Sequence, residues 1–190
     1  MKVRIKTAKI TVTTALLVLA LVWLAHVSGS RASTQELSAA DRMLAIEEIH
    51  QLKARYIRCM DMKDWVCWED VLAPDFHFKG STVEWHSAKE MVQSTHLSGL
   101  FDRVKTVSHV YTPEIEILSP STAKGTWGAD FFHYWPAGTG TTQGRELVMR
   151  GQWNHSDAYY HDSYVKIGAR WFIQSEEVES IRETGGRLEN

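Results

Sequence analysis

The stretch AIEEIHQLKARYIRCMDMKDWVCWEDVLAPDF, residues 45–76, decides the fold of this chain of 190 residues. Apolar side chains recur in its first half at three- and four-residue steps, which is the period of one face of an α-helix. That face holds Ile46, Ile49, Leu52 and Tyr56, and the opposite face holds Glu47, Lys53, Arg55 and Arg58. The pattern predicts an amphipathic helix whose apolar side packs on the rest of a domain.

The sequence also predicts where this helix begins and ends. Ser38 can cap its start, with Asp41 three positions later in the manner of a capping box. A second short helix is predicted over about residues 64–72, with Pro74 stopping it. Asp61 lies at the seam, where a carboxylate faces the negative end of the helix dipole unless another group holds it. We therefore ask which group holds Asp61.

Downstream of the seam the hydrophobic pattern changes from helix to strand. FHFKG predicts a short strand, and SAKEMVQSTHLSGL predicts a third helix, capped by Ser87 with Glu90 at the third position. Two segments then alternate with the period of a strand, TVSHVYTPEIEIL and STAKGTWGADFFHYW. Their predicted apolar faces hold Val107, His109, Tyr111, Ile115 and Ile117 in the first, and Trp127, Ala129, Phe131, His133 and Trp135 in the second.

The rest of the chain also indicates β-structure. A flexible hairpin loop is predicted at PAGTGTTQG. One long strand, or two with a bend near Asn154, is predicted at RELVMRGQWNHSDAYYHDSYVKI, and the last strand at RWFIQSEEVES. Three helices followed by about four strands indicate an α+β protein. A strongly bent mixed sheet with the helices on one face would form a cone-shaped barrel with an apolar mouth, where pockets form.

Residues 1–32 differ in character from the rest. A basic start is followed by the apolar run ALLVLALVWLA and then by small residues around Ser30 to Ala32, the order of a secretory signal peptide. The run is shorter than the ~20 residues that span a bilayer, although neighbouring threonines could extend it into an uncleaved signal anchor. The sequence predicts an exported protein, secreted or periplasmic, attached to the membrane only if residues 1–32 stay in place.

Charge and cysteine content narrow the partners. Residues 33–190 hold 16 of the 21 basic residues and all 23 acidic ones, a net charge of −7, so nucleic acid is not an expected partner. Cys59 and Cys67 are the only cysteines, and export permits a disulfide, but their spacing leaves a bridge or two buried thiols open. No C-x-x-C or H-E-x-x-H spacing points to a metal, and we expect neither a metal nor a cofactor.

Two histidines are the candidates for chemistry. His109 lies on the predicted apolar face of its strand, where its ring needs a hydrogen-bond partner. Asp61 could be that partner and orient the ring as a base; a core histidine bonded to a backbone carbonyl is the alternative. His133 also lies on a predicted inward face, or at the rim of the mouth, because Pro136 ends its strand.

Aromatic side chains on the predicted inward faces could line a pocket for a flat apolar ligand or fill a core. We take as candidate substrate-binding residues Tyr56, Tyr111, Trp127, Phe131, Tyr160 and Asp162. For Asp162 the alternative is a structural carboxylate, bonded to nearby backbone or to an arginine.

These motifs together resemble the nuclear transport factor 2-like superfamily, in its SnoaL-like and scytalone dehydratase branch. AIEEIHQLKARYIRCMDMKDW resembles the first helix of that branch, and DMKDW followed by LAPDF is similar to a run in scytalone dehydratase. The His of TVSHV, the His eight residues after Gly125, and YYHDSYVKIGARW also match in order and spacing. The resemblance covers about residues 45–172 and implies a SnoaL-like domain over residues 33–190.

The resemblance implies an Asp61–His109 dyad, with His133 as the second active-site histidine. The implied activity is that of a cofactor-independent lyase of the dehydratase type, in which His109 removes a carbon-bound proton from a hydrophobic cyclic small molecule. A polyketide-type cyclase or isomerase on the same scaffold, and an exported ligand-binding module without chemistry, are the alternatives. The chain departs from scytalone dehydratase at two catalytic tyrosines: Met60 stands where one of them precedes the aspartate, and the position of the other falls near Gly80. The scytalone reaction itself is therefore not expected. A homodimer formed through the sheet is also implied.

Overall fold

A computed structural model describes residues 37–97, 104–136 and 151–187. Helix α1 runs over Ala39–Met62 and begins as predicted, with the backbone N–H of Asp41 donating to the Ser38 hydroxyl at 3.1 Å. Lys63, with a left-handed φ of 59°, ends it. The predicted apolar face is buried at Ile49, Leu52 and Tyr56. Lys53, assigned to the solvent face, is fully buried, so that assignment was wrong. The predicted leader, residues 1–32, lies outside the described residues.

A short helix and a disulfide follow α1. Helix α2 covers Trp65–Asp70 and is capped by Asp64, whose carboxylate accepts from the Cys67 N–H at 3.0 Å. Cys59, in the last turn of α1, and Cys67, in α2, form a disulfide with their Cα atoms 5.6 Å apart. The bridge that the sequence left open therefore ties the two helices together.

Strand β1 begins earlier than predicted. It covers Leu72–Lys79 and includes Pro74, and its ladder with the last strand is irregular between Leu72 and His77, where a proline without an N–H is tolerated. Strand β2, Glu84–Trp85, pairs antiparallel with β1. Helix α3, Ala88–Leu97, is capped by Ser87 as predicted, with the Glu90 N–H donating to the Ser87 hydroxyl at 3.1 Å. The Glu90 carboxylate accepts from the backbone N–H of His86 at 2.8 Å, one residue before the cap.

Four long strands complete the sheet. They are β3, Lys105–Ser119; β4, Thr122–Trp135; β5, Gln152–Ile167; and β6, Arg170–Arg187. Together with β1 and β2 they form, in the described residues, one six-stranded sheet of order β2-β1-β6-β5-β4-β3, with β1 parallel to β6 and the other neighbours antiparallel. The predicted α+β class is confirmed. β5 is one strand across Asn154, and most of the predicted loop after Pro136 lies outside the described residues.

One irregularity in β3 decides which side chains reach the core. Thr112 has φ of 46°, and the β3–β4 register shifts between Tyr111 and Glu114. Because side chains alternate with period two, such a bulge exchanges the two faces of a strand. On its N-terminal side Thr106 and Ser108 point inward, and Val107, His109 and Tyr111 point out. The prediction for these last three was wrong, whereas β4 is buried as predicted at Trp127, Ala129, Phe131 and Trp135.

The core lies between the helices and one face of the sheet. It is built largely from Ile49, Leu52, Tyr56, Trp68, Phe76, Met91, Trp127, Phe131, Tyr160, Tyr164 and Ile173. None of the helices that the structure describes combines the length and apolar character needed to cross a membrane.

Candidate active site

A cavity of about 450 Å³ opens among the helices, the β1–β2 hairpin and the inner face of the sheet. Its wall is mainly apolar, with polar groups at a few positions, as is usual for small-molecule sites. The side chains that line it include Tyr56, Met60 and Trp68 of the first two helices, Met91, Ser94 and Thr95 of α3, Phe131 and His133 of β4, Tyr160 of β5, and Val178 and Ser180 of β6. The hairpin contributes Phe78, residues 80–83 and Trp85.

His133 is the titratable imidazole in this wall. It is half-buried and lies opposite Thr106 in the β3–β4 ladder. Burial lowers its pKa to about 4, the positive charge of Lys63 adds to this, and the carboxylates of Asp61 and Glu183 oppose it. Burial disfavours the charged form of a histidine, so a pKa of about 4 leaves His133 neutral at physiological pH.

Asp61, in the last turn of α1, is held by Ser108. Its carboxylate accepts from the Ser108 backbone N–H at 2.9 Å and from the Ser108 hydroxyl at 2.8 Å. These two bonds offset the unfavourable position of a carboxylate at a helix C-terminus. Ser108 is therefore the group that holds Asp61, and the inward turn of Ser108 follows from the bulge in β3.

His109 lies on the other side of the sheet. Its side chain is 64% exposed, and its Nδ1 atom lies 2.9 Å from the Asp130 carboxylate, on the neighbouring strand. The predicted contact between Asp61 and His109 was wrong, because Asp61 reaches the inner side of β3 from helix α1, whereas the His109 side chain projects from the outer face of that strand. His109 does not line the cavity described here.

Lys63 belongs to the same corner of the site as Asp61. Its ammonium donates to the Thr106 hydroxyl at 2.7 Å and to the backbone carbonyl of Met60 at 3.2 Å. The charge of Lys63 thus lowers the pKa of His133, and the charge of Asp61 raises it. The net result is an imidazole kept neutral near a carboxylate that would stabilise it once protonated.

A buried charged cluster lies behind the cavity. Lys53 Nζ lies 2.9 Å from the Asp162 carboxylate and 2.8 Å from that of Glu176, and all three side chains are inaccessible or nearly so. Tyr56, which also lines the cavity, donates its phenolic O–H to Glu176 at 2.9 Å. The Lys53 ammonium lies 3.7 Å from the ring centroid of Tyr160. The cluster therefore connects both cavity tyrosines to buried charge.

Burial keeps the cavity tyrosines protonated. Desolvation raises the pKa of Tyr56 and of Tyr160 well above the usual value, and the negative charge of Glu176 adds to it in both cases. Desolvation also raises the pKa of Glu176 to about 7, although Lys53 opposes the shift. Tyr56 and Tyr160 can therefore act as hydrogen-bond donors across the physiological pH range.

The remaining predicted binding residues divide between wall, core and surface. Tyr56, Phe131 and Tyr160 line the cavity. Trp127 and Asp162 are buried outside its lining, joined through Tyr164, whose hydroxyl accepts from the Trp127 indole at 2.7 Å and donates to Asp162 at 2.6 Å. Tyr111 is 45% exposed on the outer face. Trp127, Asp162 and Tyr111 were therefore wrongly placed in the wall.

Sequence reasoning missed Lys53, Glu176 and Ser108. Lys53 could have been found, because it follows Ile49 by four positions and precedes Tyr56 by three, which places it on their face. Glu176 gave no comparable signal, since it stands in the polar run QSEEVES. The inward position of Ser108 depends on the bulge at Thr112, which the alternation alone does not reveal.

The chain matches the SnoaL-like domain family over residues 41–176, and it belongs to that family. The resemblance inferred from the sequence is thus confirmed. A protein of Gibberella zeae named "Probable cyclase FGR4" is 24% identical over 145 residues, which span 70% of this chain and 89% of that protein.

Solved structures share the fold at low identity. A hexachlorocyclohexane dehydrochlorinase (LinA) of type 2 has a TM-score of 0.65 at 12% identity, over 78% of this chain and 93% of its own. A candidate scytalone dehydratase of Novosphingobium aromaticivorans has a TM-score of 0.65 at 14% identity, over 80% of this chain and 94% of its own. ActVI-ORFA of Streptomyces coelicolor has a TM-score of 0.55 at 11% identity, over 72% of this chain and 96% of its own. These likenesses establish the nuclear transport factor 2-like fold.

Proposed function

We propose that this protein is a cofactor-independent lyase of the dehydratase type that removes a carbon-bound proton from a hydrophobic, cyclic small molecule. The observation that carries the proposal is the neutral imidazole of His133 in the wall of an apolar cavity of about 450 Å³. SnoaL-like family membership supports an enzyme that modifies small molecules, as do a relative named as a cyclase and structural neighbours named as a dehydrochlorinase and a candidate dehydratase.

In this proposal the base is His133 in place of His109, because His133 lines the cavity and His109 does not. His133 takes the proton, the electron pair of the broken C–H bond forms a carbon–carbon double bond, and the C–O bond to the leaving hydroxyl breaks. The protonated His133 returns the proton to that hydroxyl, which leaves as water. Asp61 stabilises the imidazolium electrostatically, since its carboxylate favours the charged form of His133.

Tyr160 supplies the electrophilic contact in this scheme. Its ring lines the cavity, and burial keeps its phenol protonated, so the O–H can donate to a substrate carbonyl and stabilise the enolate as it forms. A protonated tyrosine here replaces the two tyrosines of scytalone dehydratase, whose places are taken by Met60 and Gly80.

A cyclase is the second candidate, favoured by the Gibberella zeae relative. It would use the same proton removal by His133, followed by formation of a carbon–carbon bond instead of loss of water. A third possibility is a binding module without turnover, which would use the cavity to hold a ligand but would not require His133 as a base. The first experiment must therefore separate loss of water, proton removal alone and binding alone.

The probe is 3-hydroxy-1-tetralone, a bicyclic β-hydroxyketone whose dehydration gives fluorescent 1-naphthol. We expect the protein to accelerate 1-naphthol release, and His133→Gln to lower the rate about 10²–10⁴-fold, the usual contribution of a positioned base. His109→Gln is the matched control on the outer face of the sheet and should change the rate less than about twofold.

Three results would point elsewhere. Deuterium exchange at the α-carbon without 1-naphthol would favour the cyclase. Saturable binding of the ketone without exchange would favour the binding module. Equal losses in His109→Gln and His133→Gln, with both variants folded by circular dichroism, would remove His133 from its role.

We also propose that the protein is exported with residues 1–32 removed. The Cys59–Cys67 disulfide supports this, because such bridges persist mainly in oxidising compartments. The intact mass of protein recovered from outside the cytoplasm is the test. A mass that still includes residues 1–32 would favour the signal anchor, and recovery in the cytoplasm with free thiols would contradict export.

A further inference from the structure

Two histidines and a glutamate meet on the outer side of the β1–β2 hairpin. His77 Nε2 lies 2.8 Å from Glu84 Oε1, and the rings of His77 and His86 are stacked with centroids 5.3 Å apart. One nitrogen from each imidazole and one carboxylate oxygen all lie within 4.8 Å of one another. We propose that His77, Glu84 and His86 bind a divalent transition metal ion, with Zn²⁺ as the expected occupant.

The donor set suits zinc. Two neutral imidazoles and one carboxylate are three ligands of the kind that Zn²⁺ takes, with a fourth position left for water or another donor. Zinc bonds of about 2.0–2.2 Å in a tetrahedral arrangement hold ligand atoms roughly 3.3–3.6 Å apart. The three atoms already span that range, from 2.8 Å to at most 4.8 Å. Small side-chain rotations would therefore complete the site, and the partly exposed side chains are free to make them.

The hairpin backbone fixes the positions of these ligands. Phe78 pairs with Trp85 and Lys79 with Glu84 in the antiparallel ladder, so His77 and His86 are the next opposed positions and Glu84 is their diagonal neighbour. The backbone N–H of His86 donates to the Glu90 carboxylate at 2.8 Å, which ties the end of the hairpin to α3. His77 and Glu84 thus arise from two paired strands, and His86 follows β2 directly.

The nearby charges do not oppose a cation. Lys79, on the same side of β1, is positively charged, but its ammonium is paired with the Glu177 carboxylate on β6 at 2.5 Å. Glu84 and Glu90 add negative charge beside the histidines. A metal ion would replace the lone His77–Glu84 hydrogen bond with three stronger contacts.

The site has a consequence for the cavity, because the hairpin alternates between its two faces. Phe78 and Trp85 are next in sequence to the ligands, point to the opposite side and line the cavity, with their rings 5.0 Å apart. A metal that joins β1 to β2 would therefore hold this part of the cavity wall in place. The site adds to the proposed activity but does not depend on it.

The test is calorimetric titration of Zn²⁺ into the tag-free full chain. We expect saturable binding at one site, weakened at least about 10-fold in His86→Ala and in Glu84→Gln. His161→Ala is the matched control, because His161 forms a similar exposed pair with Glu179 at 3.0 Å but joins no such three-residue group among the residues that the structure describes. That variant should bind zinc as the wild type does.

A second readout places the ion on the hairpin. Zinc should raise the thermal midpoint of the wild type, since a ligand that binds only the folded state stabilises it, and should not raise that of His86→Ala. Absence of saturable binding at millimolar zinc would overturn the proposal. So would equal weakening in His161→Ala and His86→Ala.

Discussion

The imidazole of His133 sets the pH dependence expected of the proposed reaction. Because burial lowers its pKa to about 4, the neutral base is present throughout the physiological range. It is lost only when the pH falls through about 4. Activity with 3-hydroxy-1-tetralone should therefore stay level from about pH 5 to 8 and fall on the acid side with a midpoint near 4.

Folding must be followed at each pH, since loss of structure in acid would mimic this limb. Far-ultraviolet circular dichroism of the same samples is the control. An acid limb near the ordinary histidine value of about 6.5, with the chain folded, would show that an exposed histidine is the base.

At Lys53 the energetic consequences are larger than at any exposed charge. This ammonium is fully buried between two buried carboxylates. Removing one partner of a buried ion pair is strongly destabilising, because it leaves an uncompensated charge inside the protein. Lys53→Met would leave Asp162 and Glu176 uncompensated and should lower the free energy of unfolding by about 3–5 kcal/mol. Urea denaturation measures this.

Arg55 provides the matched control for Lys53. It lies on the exposed face of the same helix, and Arg55→Met should change stability by less than about 0.5 kcal/mol. The triple variant Lys53→Met, Asp162→Asn, Glu176→Gln removes the stranded charges and should recover part of the loss. A cost below about 1 kcal/mol for Lys53→Met would contradict the ion cluster.

Among the elements, β3 shows most clearly what the sequence could and could not reveal. The alternation of TVSHVYTPEIEIL predicted a strand, and Ile115 and Ile117 lie on the inner side as expected. The irregularity at Thr112 reversed the two faces of the strand before it, and with them the positions of Ser108 and His109. Capping side chains act within four residues, so Ser38, Ser87 and Glu90 were predicted correctly. The position of a bulge depends on pairing with β4, which no local pattern contains.

The disulfide is the covalent link between α1 and α2. The bridge closes a loop of sequence separation 8, which by the loop-entropy relation should stabilise the folded chain by about 2–3 kcal/mol. Urea denaturation of oxidised and reduced wild type measures the difference without removing any side chain.

The variant Cys59→Ala, Cys67→Ala is the control for the reductant and should respond equally with and without it. Mass spectrometry after alkylation in denaturant, without reduction, should find both wild-type cysteines unalkylated, because the disulfide leaves no thiol to react. Two alkylated cysteines there would show that the bridge is not formed.

For the whole molecule, the class of fold could be predicted from the spacing of apolar residues, which changes along the chain from the three- and four-residue steps of helices to the alternation of strands. The cavity was predicted less completely, because the residues of its wall come from eight separate helices and strands. The parallel pairing of β1 with β6, across about 100 residues of sequence, places the β1–β2 hairpin beside the sheet and closes one side of that wall. Such long-range pairing carries no local signal, which is why the hairpin was absent from the predicted site.

The outer face of the sheet leads to a prediction about assembly. Val107 lies opposite Phe132 in the β3–β4 ladder, and Tyr111 and Tyr159 flank Gly128. These four apolar side chains are between 40% and 51% exposed, and exposed apolar patches on a sheet commonly mark interfaces. The family resemblance also implies a homodimer formed through the sheet. We expect the chain to sediment as a dimer whose interface includes this patch.

Charge placed in the patch should separate the subunits. Phe132→Glu and Tyr159→Glu should each shift the sedimentation coefficient toward that of a monomer, because a carboxylate buried in an interface without a partner is costly. Val66→Glu, on α2 and 81% exposed, is the matched control and should leave the dimer intact. A monomeric wild type at micromolar concentration would contradict the dimer. Dissociation by Val66→Glu alone would place the interface on the helical side of the subunit instead of on the sheet.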